Sequence, residues 1–473
     1  GWVEMKILLG YQSYQGRSKA ATGQRLVNMY AEMNPEGSKY PFTLLNTEGM
    51  TEFANLGTTK AVDGMQVMGD SLYAVSGNSV FKVTTAGVVS QLTGSLSGTE
   101  GRVDLSNNGT QLTIIDPDGN GWYATTAAVA SISDGDFPTV SSTAFLDGYT
   151  VVSKADSGQF NISSLYDTTA YDALDFATAE ETPDNLVRLS SFNSALWLMG
   201  ETSLEPYYNS GDADFPYQQI SGAANTTRGL LGKFAVAQDD NSLFFIGNDK
   251  IVYRIVGYTP QRISTHAVEA AINDYAVTSD AFCFISELDG HKFLVITFPT
   301  ASKTWVCDIA TGLWHERTTL ISGIEYRWRA NCHAKFAGKQ LVGDYLNGKI
   351  YELSPTVYTE DGNTIERIMQ GSVQWQDGNR FILDRVRLDI DAGVGLITGQ
   401  GSDPQVMREF SDDGGKTWSN EAWRSFGAIG AYNTRCEWRR EGQTRERIYK
   451  FSITDPVPVR VTGCYADGRS CRP

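Results

Sequence analysis

Apolar and polar residues alternate along this chain in short runs of strand length, and almost nowhere at helical spacing. The stretch "DSLYAVSGNSVFKV" (residues 70–83) reads strand, tight turn, strand. The unit recurs as "TQLTIIDPDGNGWYA" (110–124), "GYTVVSKADSGQFNI" (148–162) and "SALWLMGETSLEPYY" (194–208), then as "NSLFFIGNDKIVYRI" (241–255), "HKFLVITFPTASKTWVCDI" (291–309) and "KQLVGDYLNGKIYEL" (339–353). The turns fall near residues 77, 118, 156, 201, 248, 299 and 347, a spacing of 38 to 51 residues. That period is one four-stranded propeller blade. Seven units are counted, and six blades stay open if one unit is an irregular hairpin. Doublets such as Asn108-Gly109, Asp147-Gly148, Asp289-Gly290 and Asp361-Gly362 favour the positive-φ turns that join antiparallel strands.

Residues 27–53 hold strand-like pieces ahead of the first full unit. A propeller that lends an N-terminal strand to its last blade leaves no exposed edge at the seam, and that closure is expected here. One window breaks the pattern. In residues 265–277, Val268, Ala271, Ile272 and Tyr275 share one face at 3/4 spacing, which predicts a helix. From about residue 356 the pattern changes again. A linker with a hairpin leads to longer alternating strands in "RFILDRVRLDIDAG", "QVMREFSDDGGKTWS", "TRCEWRREGQTRERIYKFSITD" and "VPVRVTGCY", which read as a β-sandwich. The expected fold class is all-β: a β-propeller of six or seven blades, seven favoured, followed by a C-terminal β-sandwich. The expected domains are an N-terminal arm (1–27), the propeller (28–355), and a linker with the sandwich (356–473).

Composition adds exclusions. The chain has 39 Lys and Arg against 55 Asp and Glu, a net charge of −16. Gripping DNA non-specifically depends on neutralising phosphates, so the sign argues against it, while leaving room for a protein that DNA slides past. The six cysteines lie in the second half with no C-x-x-C pair, and read as buried free thiols. No apolar run approaches the ~20 residues that span a bilayer, and no stable membrane insertion is expected. The start shows no signal peptide, and Met5 is a candidate natural first residue.

Candidate chemistry is thin. Ser411, Asp413, Gly415, Thr417 and Trp418 spell S-x-D-x-G-x-T-W, the Asp-box hairpin of sialidases and other propeller proteins. Its Asp and Ser bond local backbone and its Trp packs beneath the turn, so the motif folds a hairpin and does no chemistry by itself. A sialidase carries several copies, an arginine cluster and a Tyr–Glu nucleophile pair. Here one copy lies outside the propeller repeats. "DPDGNG" (116–121) opens like a calcium loop, but position twelve is Ala127 where the loop needs Glu. His266, His315 and His333 fall in consecutive units and could converge near the ring axis, without metal-ligand spacing. Asp172, Asp175, Glu180, Glu181 and Asp184 could hide an acid–base pair, though a solvated acidic loop is the simpler reading. No catalytic, cofactor or metal residue is assigned.

Charge is uneven. Arg17, Lys19 and Arg25 near the start, and Arg439, Arg440, Arg445 and Arg447 near the end, are candidate assembly contacts for acidic protein neighbours.

Taken in order, "QRLVNMYAEMNPEG", "LLNTEGMTEF", "DALDFATAEETPDNLVRL", "WLMGETSLEPYYNSGDADFPYQQI", "GYTPQRISTHAVEAAI", "TFPTASKTWVCDIATGLWHER", "LVGDYLNGKIYEL", "RVRLDIDAG", "SDDGGKTWS", "WRREGQTRERIYKFSITDPVPV" and "GCYADG" resemble the packaged-DNA stabilisation proteins of short-tailed bacteriophages, also called tail accessory factors or tail hub proteins. The resemblance implies a virion protein, synthesised in the bacterial host cytoplasm and forming a ring, typically of six copies. That ring lies below the portal and head-to-tail adaptor, extends the DNA channel, helps retain the genome, and holds a distal needle, spike or fibre. It implies that DNA passes through the lumen without specific binding, and that there is no catalytic residue or cofactor. Residues 469–473 ("RSCRP") match nothing in the family. Two alternatives remain at this point: a receptor-binding tail protein stacking host glycan on Tyr207, Tyr208 and Trp314, or a propeller glycoside hydrolase.

Overall fold

The computed structural model describes residues 3–7, 9–179, 182–223, 227–239 and 241–471. Six four-stranded antiparallel blades follow one another over residues 62–91, 104–131, 140–178, 186–219, 236–262 and 282–321. A seventh is built from residues 330–354 and the strand Gly49–Asn55. The first strand of the seventh blade packs beside the first strand of the first blade, which closes the ring. Each hairpin expected from the sequence joins the second and third strands of one blade, and none of the seven is irregular.

The pattern follows from burial. Second strands lie between neighbouring blades and bury both faces, so they read as continuous apolar runs: Ser71–Ser76, Ala195–Gly200 and Ser242–Ile246 are buried at every position. Outermost strands such as Val89–Gln91 and Thr259–Arg262 are mostly exposed and polar. The turn doublets do what their chemistry permits. Asp147-Gly148, Asp289-Gly290, Asp361-Gly362 and Asp377-Gly378 all have positive φ at both residues, the condition for a tight turn that matches strand twist.

The closing strand Gly49–Asn55 runs antiparallel to Lys349–Ser354, pairing Gly49 with Ser354 and Asn55 with Lys349. Gly49 is required at its start: a Cβ there would lie 2.3 Å from the Val357 carbonyl oxygen, where the linker crosses. The inner seam is stitched by Asn331 of blade 7, whose Nδ2 donates to the Val62 carbonyl of blade 1 at 2.9 Å.

The sandwich contains more of the chain than its C-terminal residues. One sheet runs Cys436–Thr444, Phe381–Ile390, Arg460–Ser470, Phe42–Asn46, Met29–Met33, with Val3–Ile7 also on Arg460–Ser470. The facing strands are Gly23–Val27, Arg367–Gln370, Glu446–Ile453, Gln405–Ser411 and Ala422–Ser425. Strand pairing therefore joins residues 3–46 to the sandwich, where the sequence reading had an arm to residue 27 and propeller from 28. The reason is hydrophobic: Ile7, Leu26, Met29 and Leu44 complete a core with Phe381, Val386, Trp438 and Phe451. The second sheet is continuous with blade 6, because Val27 pairs in parallel with Glu316.

The predicted helix is present as His266–Asp274. Thr265 caps it, accepting from the Val268 amide. Val268 and Ile272 enter the core that holds Trp305 and Trp314, and Tyr275 accepts the Trp305 indole N–H at 2.9 Å.

Candidate functional site

The Asp-box residues sit in the turn that follows the strand Gln405–Ser411. Ser411 Oγ donates to Asp413 Oδ1 (2.7 Å) and accepts from the Gly415 amide (2.9 Å). Asp413 Oδ1 also accepts the amides of Lys416 and Thr417, both at 2.9 Å, while its Oδ2 takes the Thr417 hydroxyl. The Thr417 hydroxyl and amide, with Ser411, hold the Asp413 carboxyl well below the usual range. Both oxygens of this carboxylate thus accept hydrogen bonds from within the turn. Trp418 is half-buried, with the Lys450 ammonium 4.5 Å from its ring centre.

The seven basic candidates divide. Arg25 is internal: Nε lies 3.1 Å from Glu316 on blade 6 and Nη2 2.8 Å from Glu325 on the short strand Ile324–Arg327 that pairs with that blade's last strand. Burial opposes its charge, but the two carboxylates outweigh burial and raise its pKa. Arg447 is internal too. It holds Asp412 in a bidentate pair at 2.7 Å, donates to the Glu441 carbonyl, and stacks 3.9 Å over Phe410, fastening the Asp-box turn to the sheet. Arg439 is exposed but paired with Glu437 at 2.7 Å. Arg17, Lys19, Arg440 and Arg445 are exposed and make no ion pair among the described residues. Arg17 and Lys19 border a cleft of about 970 Å³ between the helix, blade 6 and the sandwich, shared with Trp418 and Lys450.

The propeller axis is filled by side chains that sequence reasoning missed. Arg102 donates to the carbonyl and Oδ1 of Asn331 (2.6 and 2.7 Å) and lies 3.6 Å over the Phe282 ring. Arg327 shares the same Asn331 Oδ1 at 2.6 Å. Arg188 pairs with Asp104 at 3.0 Å and faces Phe234. Burial lowers Arg102 to about 10 and raises Asp63 to about 6. The cavity these groups leave is about 210 Å³. The first strands of blades 1, 4 and 7 carry a register shift at Asp63, Val187 and Asn331. Such bulges re-aim side chains, and no residue-type pattern announces them.

The remaining candidates resolve differently from the looser expectations. The three histidines do not converge. His266 is exposed on the helix, while His315 is buried on the fourth strand of blade 6 against Phe293. His333 alone borders the axial cavity, stacked on Phe284 and bonded to Gln340 at 2.7 Å. Burial lowers His315 to about 3 and His333 to about 4, so both are neutral. No group of three or more metal-ligating side chains occurs among the described residues. Asp116 spends its oxygens on the Asp118 and Asn120 amides, the Asn120 side chain and the Trp122 indole, which makes a turn and not a calcium cage. Asp184 caps the Thr202 and Ser203 amides. Glu180 and Glu181 lie outside the described residues. Of the proposed stacking aromatics, Tyr207 and Trp314 are buried at 2% and 0% exposure, and only Tyr208 is open.

Charge is strongly partitioned between the two bodies. Residues 47–365 carry 18 Lys and Arg against 37 Asp and Glu, while the rest of the chain carries 21 against 18.

Family comparison names the same two bodies, a propeller and a sandwich, although its propeller model also takes in the N-terminal strands that pair here with the sandwich. Residues 5–358 match the family model described as the β-propeller of bacteriophage P22 Gp10, and residues 366–469 match that of the Gp10 β-sandwich. The chain belongs to the phage P22 Gp10 family. It is a Gp10-like packaged-DNA stabilisation protein, a structural component of the virion that works in association with other virion components. None of the curated proteins compared with it matches. Among solved structures it is similar to the computationally designed Ika8 protein, at 13% identity and a TM-score of 0.38, over 64% of this chain and 99% of that one. Nothing below rests on that likeness.

Proposed function

We propose that this Gp10-like chain is the tail hub subunit of a short-tailed phage. In this reading copies form a ring, six in number, below the portal and head-to-tail adaptor. The ring extends the DNA channel, helps retain the packaged genome and carries the distal needle, spike or fibre. The chain is made in the host cytoplasm and ends in the virion. It performs no catalysis, and its Asp-box is a structural hairpin.

The observation that carries this reading is family membership across both bodies. Two features of the chain support it. The propeller is sealed at its outer seam by Gly49–Asn55 and filled at its axis by Arg102, Arg188 and Phe282. It is thus a rigid wall segment, and a duplex must pass between copies and not through a propeller. The acidic excess of the propeller would repel phosphate, so DNA could slide past without sticking. Arg17, Lys19, Arg440 and Arg445 are the sequence-derived contacts still free for acidic neighbours.

The test is to delete the gene from its phage and count heads that keep DNase-protected genomes. Heads that fill and then leak are expected. Stable full heads with normal tails that fail to adsorb would overturn the proposal in favour of receptor binding.

A further inference from the structure

The propeller and the sandwich carry complementary surfaces at opposite ends of the molecule. The sandwich is attached to blades 6 and 7, through Val27 on Glu316 and through the closing strand. Counting round the seven-membered ring, blade 3 lies half a turn away. The stretch leading through blades 2 and 3, residues 103–187, contains 13 Asp and Glu and one basic residue, Lys154. In blade 3 the outermost strand, Asp167–Thr178, is broken by a bulge. Its register jumps from Tyr171 opposite Ser163 to Phe176 opposite Asn161, so residues 172–175 are looped out. The loop is ordered by Asp172, which accepts the Leu174 amide at 2.9 Å. It presents Leu174 at 82% exposure between Asp172 and Asp175. Asp134 reaches the Tyr171 amide and adds a third carboxylate beside it.

The far end of the sandwich has the opposite character. Its two sheets end at Ala422–Ser425 and Cys436–Thr444, and Arg424 bridges the gap by donating to the Glu437 carbonyl at 3.1 Å. Around that bridge Trp423 and Tyr432 are 49% and 75% exposed, and Arg435 and Arg440 are exposed. An exposed apolar side chain between carboxylates thus has its chemical counterpart, exposed aromatics on the same edge as exposed arginines, on the other side of the same chain.

We infer that the acidic bulge of blade 3 docks on the arginine-aromatic edge of the sandwich in a second copy of this chain. This inference rests on the ring proposed above and names its contact. Two different patches on opposite sides cannot meet within one molecule. Between copies they form a head-to-tail contact, the kind that closes rings when the rotation allows. Opposite charge around an apolar centre sets register and rejects like-with-like pairing.

The test uses two charge-reversed full-length chains, one Asp172→Arg with Asp175→Arg, the other Arg435→Glu with Arg440→Glu. Asp172, Arg435 and Arg440 are exposed and Asp175 is half-buried, and equal melting temperatures check that the fold is kept. Sedimentation velocity and electron microscopy then follow assembly at rising concentration. The unaltered chain is expected to form closed rings. Each variant alone should associate at least tenfold more weakly, and an equal mixture should recover rings with alternating copies, because each altered bulge then meets an oppositely altered edge. Rings from either variant alone, or a mixture that stays apart, would overturn the contact while leaving the ring standing. An unaltered chain that is monomeric at every concentration would overturn the ring and the contact together.

Discussion

Glu48 stands immediately before the closing strand and forms a buried ion pair with Arg317 of blade 6. Nη1 lies 2.7 Å from Oε1, and Nη2 donates to the Glu48 carbonyl at 3.0 Å. The two side chains are 2% and 4% exposed, and the guanidinium lies 3.7 Å over the Trp328 ring. Replacing Glu48 by Ala removes a charge-assisted bond, worth ~1.5–3 kcal/mol, and strands a guanidinium that cannot reach water. Together these should cost about 3–5 kcal/mol. The loss should concentrate where the pair acts. Amide hydrogen exchange in Gly49–Asn55 and its partner Lys349–Ser354 should accelerate by roughly a hundredfold or more. Removing both charges, as Glu48→Leu with Arg317→Met, should restore most of the protection, because no charge is then left unpaired and a methionine still covers Trp328. Unchanged protection in Glu48→Ala would refute the idea that this pair pins the seam. A double variant as damaged as the single one would show that the cost lies in packing and not in charge.

Three further outcomes are expected. Trp418→Ala should lower sandwich stability by only about 1–2 kcal/mol, read by denaturant unfolding, since the ring is half-buried and its main polar partner is Lys450; a loss above about 4 kcal/mol would mean that the tryptophan is a core residue. His291 joins the bodies, its Nδ1 bonding Asp308 (2.8 Å) and its Nε2 bonding Glu32 of the sandwich (2.9 Å). Burial would lower its pKa, but the carboxylates of Glu32 and Asp308 prevail and raise it above 6.5. Its stabilisation is therefore full below about pH 6.5 and fades as pH rises through the raised folded value. The melting-temperature gap between the unaltered chain and His291→Gln should shrink from pH 6 towards pH 9, and a constant gap would contradict the linkage. With iodoacetamide on the native protein, Cys471 should be labelled well before Cys307, Cys332, Cys436 and Cys464, which are buried; burial pushes Cys332 and Cys436 up to about 12. Peptide mass spectrometry reads the order.

The propeller was legible because its signal is local. Each second and third strand is joined by a turn of a few residues, so Gly77, Asp118 and Asn347 mark blades without any knowledge of the rest of the chain. The helix was legible for the same reason, with its cap and its buried face within ten residues. What failed to show was long-range. The strands Met29–Met33 and Phe42–Asn46 look like any other short strands, and only the complementary core around Val461 and Trp438 assigns them to the sandwich. Arg25 and Arg447 read as free cations, because the acids that hold them, Glu316 and Asp412, lie 291 and 35 residues away. Charge bias along a sequence identifies basic segments, but only pairing tells which side chains are left over; of the seven candidates, Arg17, Lys19, Arg440 and Arg445 make no ion pair among the described residues.

The closing strand also sets an order of events during synthesis. Residues 49–55 leave the ribosome early, but their partner, Lys349–Ser354, emerges about 300 residues later. At ~5–20 residues per second that is a wait of roughly 15–60 s. Met29–Met33 and Phe42–Asn46 wait longer still, for Arg460–Ser470. The propeller thus cannot be sealed before residues 349–354 have been made, nor the sandwich before residues 460–470. A chain cut short before residue 349 would keep an unpaired blade edge and an open sandwich, a form poorly suited to join a virion and readily marked for proteolysis.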